Sequence, residues 1–262
     1  MDLNLQGKVA LVVASSQGLG KAVAKALVQE GAHVMLTSRD ERKLKDVQQS
    51  FEQLGGGKVA YQVADITKKE DIQALVQATR DQLGRIDILV NNAGGPPGGT
   101  FEDFEDEQWQ QAFELNLLSY IRLIREALPD LKAAQSGRII NIASSSIKQP
   151  IHGLILSNTF RLGILGLAKS LAEELAPHGV LVHTIGPGRI ATDRVASLDQ
   201  KKADSLGMTR EEVAEQSKKA IPLERYGDPE EFAKVAAFFA SDACTYMTGG
   251  AFLVDGGMVK AI

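Results

Sequence analysis

The chain contains a single cysteine, Cys244, among 262 residues. A lone thiol excludes an intramolecular disulfide and any cysteine cluster for zinc or an iron–sulfur centre, and it suits a reducing, cytoplasmic home. An excess of basic charge is missing as well: 29 Lys and Arg against 33 Asp and Glu leave a net charge of −4. No basic field is available to neutralise a phosphate backbone, so nucleic acid is not an expected partner. Long hydrophobic runs are absent. No apolar stretch approaches the ~18 residues a membrane span needs, and the opening MDLNLQGK is polar and carries an acid, unlike a signal peptide. The histidines His33, His178 and His183 lack metal-ligand spacing, so no metal site is expected.

What is present is a chain with 44% hydrophobic residues, enough to bury one large core. Short β-branched runs alternate with longer segments of helical period. The runs predict strands at Val9–Ala14, His33–Thr37, Lys58–Val63, Ile86–Asn91, Arg138–Ala143, Leu181–Gly186 and Phe252–Val254. Helices are expected at Gly20–Glu30, Glu41–Leu54, Lys68–Leu83, Gln108–Lys132, Ser157–Ala176 and Pro229–Ala240, with Gly31, Gly55 and Gly84 placed to cap the first three. The alternation implies a single α/β domain over residues 1–262, Rossmann-type and doubly wound, with a seven-stranded parallel sheet and helices on both faces. Residues Ala191 to Ala220 are charge-rich, carry no strand and interrupt the βα rhythm. They read as a substrate lid over the 191–220 stretch or as a solvated excursion, and the position after a strand's carboxyl end favours the lid.

Between the first strand and first helix stands Ala14-Ser15-Ser16-Gln17-Gly18-Leu19-Gly20, small residues that let backbone approach a pyrophosphate at a helix N-terminus. Two glycines after a strand are equally compatible with a plain tight turn. Asp65 after the third strand, Asn91-Asn92-Ala93-Gly94 after the fourth and Pro187-Gly188-Arg189-Ile190-Ala191-Thr192 after the sixth extend the pattern. Together with the ending Thr248-Gly249-Gly250 and Val254-Asp255-Gly256-Gly257, the chain resembles the short-chain dehydrogenase/reductase family over nearly its whole length, in a divergent subgroup near the 3-oxoacyl-carrier-protein reductases.

The resemblance implies a nicotinamide dinucleotide. Ala14, Ser16, Gln17, Gly18, Leu19 and Gly20 would form the phosphate turn, Asp65 and Ile66 would contact adenine, and Asn92, Ala93 and Gly94 would line the ribose side. Pro187, Gly188, Ile190 and Thr192 would flank the nicotinamide, with Ile190 and Thr192 at the carboxamide. In the family's turn, Thr-Gly-x-x-x-Gly-x-Gly, Val13 and Ala14 replace the opening pair. The added Cβ of Ala14 costs little at negative φ and more at positive φ. The second strand ends in Thr37-Ser38-Arg39, where an NAD-selective site would place a carboxylate for the ribose 2′-hydroxyl. Ser38 holds that place, and the Arg39 guanidinium can clamp a 2′-phosphate bidentately, which predicts NADP(H) over NAD(H).

The same resemblance implies a proton-donating tyrosine with a lysine four residues on, assisted by serine and asparagine. Asn116 matches the asparagine and Ser144 the serine, but the tyrosine position is Ser157 and the lysine position Arg161. Four residues after Tyr61, Tyr120, Tyr226 and Tyr246 stand Asp65, Ile124, Glu230 and Gly250, so no Tyr-x-x-x-Lys exists in any register. An alkanol is a weaker acid than a phenol and a ring shorter, and a guanidinium does not ordinarily release a proton. His152, in the loop before this helix, has a reference pKa of ~6.5 that would suit a donor, or it is a surface histidine. Three readings follow: an oxidoreductase on a carbonyl or hydroxyl substrate with an atypical site, a catalytically silent NADP(H)-binding or scaffold protein, and a non-redox enzyme on the same fold. The C-terminal strand resembles one that packs across a two-fold axis in the family, so a homodimer or homotetramer is expected.

Overall fold

The computed structural model describes residues 2–261, which fold around one parallel sheet of seven strands in the order β3-β2-β1-β4-β5-β6-β7. The strands are β1 (Val9–Val12), β2 (His33–Ser38), β3 (Val59–Val63), β4 (Ile88–Asn91), β5 (Arg138–Ile142), β6 (Leu181–Pro187) and β7 (Gly250–Val254). The helices are α1 (Gly18–Gln29), α2 (Glu41–Glu52), α3 (Lys69–Leu83), α4 (Asp106–Phe113), α5 (Ser119–Ala133), α6 (Ile155–Leu175), α7 (Asp193–Leu206), α8 (Arg210–Lys219) and α9 (Pro229–Ala240). Every residue of β1, β4 and β5 is buried, because a central parallel strand is covered on both faces and reads as a continuous apolar run. Ala10 and Val12 enter one core with Val23 and Leu27 of α1, Phe51 of α2 and Phe232 of α9. Leu11, pointing the other way, joins Leu75 of α3, Leu123 of α5 and Ile164 of α6.

The seven expected strands and six expected helices are all present, and the physics at their ends moves the boundaries. The first strand stops at Val12 rather than Ala14 because Ala14 turns to φ +50°. The fourth helix begins earlier than Gln108, at Asp106, because the side chains of Glu105 and Gln108 cap each other's backbone N–H groups. It then opens into a π-helical turn over Glu114–Leu118 before α5 continues. The largest difference lies in residues 191–220, which form a pair of packed helices, α7 and α8. Thr192 accepts from Val195 N to start α7, Gly207 ends it at φ +65°, and a Thr209/Glu212 capping box starts α8. Among the described residues no helix is long and apolar enough to cross a membrane, and no group of three His, Cys, Asp or Glu side chains could hold a metal ion.

Candidate functional site

The strand order reverses between β1 and β4, so the loops leaving their carboxyl ends diverge and open a crevice. A cavity of about 990 Å³ occupies it. Its walls come from the segments following β1 through β6, from the first turn of α7 and from the C-terminal Met258 and Val259. All the residues expected in the site line this one cavity except Gly20 and Asn116.

The turn after β1 is held from both sides. Val13 N donates to Val90 O at 3.0 Å, and Ser15 bonds Thr37 twice, its N to Thr37 O and its Oγ from Thr37 N, each at 3.0 Å. Ala14 sits at φ +50° and Gly18 at φ +57°, the left-handed region where a Cβ is unfavourable. Gly20 is buried one turn into α1, where a Cβ would stand 2.4 Å from Ala14 O and 2.7 Å from Asn92 Nδ2. Close packing of the helix on the strand therefore requires glycine there, and Gly20 does not itself line the cavity. Gln17 gives α1 no side-chain cap, and the first turn carries no acid. The opening N–H groups and the positive end of the helix dipole are thus left facing the cavity.

At the β2 end, Ser38 and Arg39 line the cavity, with Arg39 exposed. Lys43, in the first turn of α2, lines it too and donates from Nζ to Gln17 Oε1 at 2.8 Å. Sequence reasoning named Arg39 alone for this role and passed over Lys43. Its signal was the spacing Arg39-x-x-x-Lys43 behind the N-cap Asp40, whose side chain accepts from Lys43 N. Asp65 accepts from Thr67 N and Oγ1 at 3.0 and 2.8 Å. Burial opposes its charge, but those bonds and the charges of Arg39 and Lys68 outweigh it and hold the carboxyl below its usual range.

At the far end, Ser144, Ser157 and Arg161 line the cavity. Ser144 Oγ accepts from Ser146 N at 3.1 Å. Ser157 and Arg161 lie one turn apart on α6, both buried, both on the cavity wall. The Arg161 guanidinium donates from Nη1 to Tyr120 Oη at 2.9 Å and to Ile142 O at 3.0 Å, and from Nη2 to Ala93 O at 3.0 Å. It ties the ends of β4 and β5 to α5. Tyr120 Oη, fully buried, in turn donates to Ile142 O at 2.8 Å. Burial raises its pKa, outweighing the charge of Arg161, so this phenol is a buried strut. Asn116 falls in the π turn, away from the cavity, and donates from Nδ2 to Gly94 O at 2.8 Å. It supports the wall through Gly94, and its Oδ1 is buried without a partner. His152 is exposed and is not part of the lining.

The loop after β6 is braced. Gly188 N donates to Val254 O at 2.9 Å, and a Cβ at Gly188 would come within 2.6 Å of Asp255. Arg189 pairs with the buried Asp199 of α7, whose other oxygen accepts from Tyr226 Oη at 2.8 Å. This anchors α7 against the site.

The family model described as Enoyl-(Acyl carrier protein) reductase matches residues 13–259. Among curated relatives, the chain is 35% identical to the uncharacterized oxidoreductase YvrD of Bacillus subtilis over the full length of both. It is 35% identical to the 3-oxoacyl-[acyl-carrier-protein] reductase FabG of Vibrio cholerae, over 98% of this chain and 99% of that one. Among solved structures, L-sorbose reductase from Gluconobacter frateurii, complexed with NADPH and L-sorbose, superposes with a TM-score of 0.95 at 32% identity, covering all of both chains.

Proposed function

The chain belongs to the short-chain dehydrogenase/reductase family, in the branch whose model is described as enoyl-(acyl carrier protein) reductase, and we propose that it is an NADP(H)-dependent oxidoreductase of atypical site. Its reaction interconverts a carbonyl and a hydroxyl group. The observation that carries this reading is the single cavity at the switch point. Arg39 and Lys43 stand at one end and Ser144, Ser157 and the Pro187–Thr192 segment at the other.

The residues fit the dinucleotide. The uncapped start of α1, behind Gly18 at φ +57°, suits a pyrophosphate. Arg39 and Lys43 suit a 2′-phosphate, and Ser38 offers no carboxylate to repel it. Bound NADPH supplies a hydride. The protein's share is orientation: the hydroxyls of Ser144 and Ser157 hydrogen-bond the substrate oxygen, and Ile190 and Thr192 form the wall beside them. No phenol lines the cavity, and Arg161 is fixed by three bonds and keeps its proton. The proton therefore reaches the substrate oxygen from water through the serine hydroxyls. Helix α7 and its partner α8 serve as the lid over residues 191–220.

The test is a fluorescence titration with NADPH and NADH side by side. Wild-type protein binds NADPH more tightly, and Arg39→Ala weakens NADPH by about 10- to 100-fold, the worth of charge-assisted hydrogen bonds, while changing NADH by less than about 2-fold. Equal binding of both nucleotides by wild type, or a uniform loss in the variant, overturns the assignment.

The missing phenol also supports a second reading, a catalytically silent NADP(H)-binding protein. In that case Ser157→Tyr with Arg161→Lys creates carbonyl reductase activity that the wild type lacks; a wild type that is already the faster catalyst rules it out. The protein works as a homo-oligomer in either reading. β7, at the sheet edge, has all five residues only half-buried, and Phe101 and Leu162 are exposed apolar groups. Light scattering at micromolar concentration reports a multiple of the single-chain mass.

A further inference from the structure

Two guanidiniums share the substrate end of the cavity, and neither forms an ion pair with a carboxylate among the described residues. Arg161 is bonded only to neutral oxygens, those of Tyr120, Ile142 and Ala93. Of its five N–H donors, three are used, leaving Nε–H and one Nη2–H. Arg194, in the first turn of α7, donates from Nη2 to Pro96 O at 2.8 Å and lies flat against Gly95, where a Cβ would come within 2.9 Å of Nη2 and 3.3 Å of Cζ. A larger residue at 95 would displace it. Both guanidiniums reach the loop after β4, Arg161 through Ala93 O and Arg194 through Pro96 O and the backbone at Gly95. Two like charges held on one short loop repel each other, and an anion accepting from both relieves that repulsion. The acids on the cavity wall do not do so, since Asp40 caps α2 and Asp65 is bonded by Thr67. Asp193, exposed beside Arg194 in the chain, makes no ion pair with it. The cavity wall also offers apolar surface from Ile151, Leu154 and Leu198, beside the polar Gln149.

Resting on the oxidoreductase reading, we propose that Arg161 and Arg194 form a carboxylate subsite, so that the substrate is a small oxo acid, or its hydroxy acid, with an apolar remainder. The carboxylate accepts from the unused donors of both arginines, which sets the adjacent carbonyl against Ser144 and Ser157. The apolar remainder packs under α7. Arg194 also joins the lid to the loop after β4, so occupancy of the subsite closes α7 onto the substrate.

The experiment uses the intact protein with NADPH and a panel of 2-, 3- and 4-oxo carboxylates with apolar tails, each paired with its methyl ester. NADPH oxidation is followed, together with calorimetric titration of the NADP⁺-loaded protein with the same acids and esters. Acids are turned over, and bind, about 10- to 100-fold better than their esters, as expected for losing charge-assisted hydrogen bonds. Arg194→Ala raises KM for the acids toward that of the esters and leaves the NADPH affinity within about 2-fold, while Arg194→Lys, which keeps the charge but not the planar fork, retains an intermediate preference. Esters that match their acids in both turnover and binding overturn the subsite and leave the oxidoreductase reading standing. If Arg194→Ala weakens NADPH by as much as the acids, the pair serves the cofactor's phosphates and the subsite is overturned. Absence of any nicotinamide nucleotide binding by the wild type overturns the oxidoreductase reading and the subsite with it.

Discussion

Ala14 holds a left-handed conformation, φ +50°, at the point where the chain leaves β1 for the phosphate turn. A residue with a Cβ costs about 1 kcal/mol more than glycine there, and the surrounding bonds to Val90, Thr37 and Asn92 hold it in place. Ala14→Gly should therefore stabilise the protein by about 0.5–1 kcal/mol in chemical denaturation; a loss of stability would show that the alanine methyl is worth more in contacts than its backbone costs. His183 poses the opposite problem, a polar side chain in a dry place. It is fully buried, stacks on Phe239 at 4.5 Å, leaves Nδ1 without a partner and has only the Cys244 thiol near Nε2, at 3.7 Å. Burial, and then the charge of Arg138, lower its pKa from 6.5 to about 4. The unfolded chain takes up this proton near pH 6.5 and the folded one only near 4, so the contribution is complete above pH 6.5 and is lost as the pH falls toward 4. The loss is on the order of 3 kcal/mol. Wild type should lose stability across that window more steeply than His183→Gln; parallel curves would mean the ring is protonated in the fold or open to water.

Helices α7 and α8 are held to the body of the protein chiefly by polar contacts, since their sequence is charge-rich and few of their side chains are buried. The buried Asp199, held between Arg189 and Tyr226, is one of these. Asp199→Asn leaves the Arg189 cation beside a neutral group and should free the pair of helices by roughly 3 kcal/mol. Limited proteolysis, which follows the population of the open form, should then cut within 193–219 more than 10-fold faster, while unfolding of the sheet changes far less. Equal cleavage rates would place the anchor elsewhere. The same polarity explains why these helices were hard to see in the sequence. They carry no wide apolar stripe, and their evidence is confined to the ends, in Thr192, Gly207 and the Thr209-x-x-Glu212 box. By contrast β1, β4 and β5 announce themselves as unbroken apolar runs. The site divides along the same line. Its turn residues are adjacent in the chain and legible. The tie from Arg161 to Tyr120 spans 41 positions and the reach of Lys43 to Gln17 spans 26, and no local pattern encodes either.

At the scale of the molecule, the cavity is walled by segments that follow six of the seven strands. A dinucleotide spanning it would touch both halves of the doubly wound sheet, from Arg39 beyond β2 to Thr192 beyond β6. Ligand that binds only the folded chain adds RT ln(1 + [L]/Kd), about 2.7 kcal/mol at a concentration of 100 Kd. For a domain of this size each kcal/mol moves the melting temperature by about 2–4 °C, so NADPH at that concentration should raise it by roughly 5–10 °C. NADH at the same concentration, bound more weakly for want of a phosphate to meet Arg39 and Lys43, should raise it by much less. The distribution of the effect carries the argument further. If the nucleotide bridges the halves, it slows hydrogen exchange in β2 and in β6 together, although the two lie on opposite sides of β1 and β4. Protection confined to the β1 to β3 half would mean that only the adenosine portion is held. The nicotinamide end, with Ser144, Ser157 and Arg161, would then be free for a different chemistry.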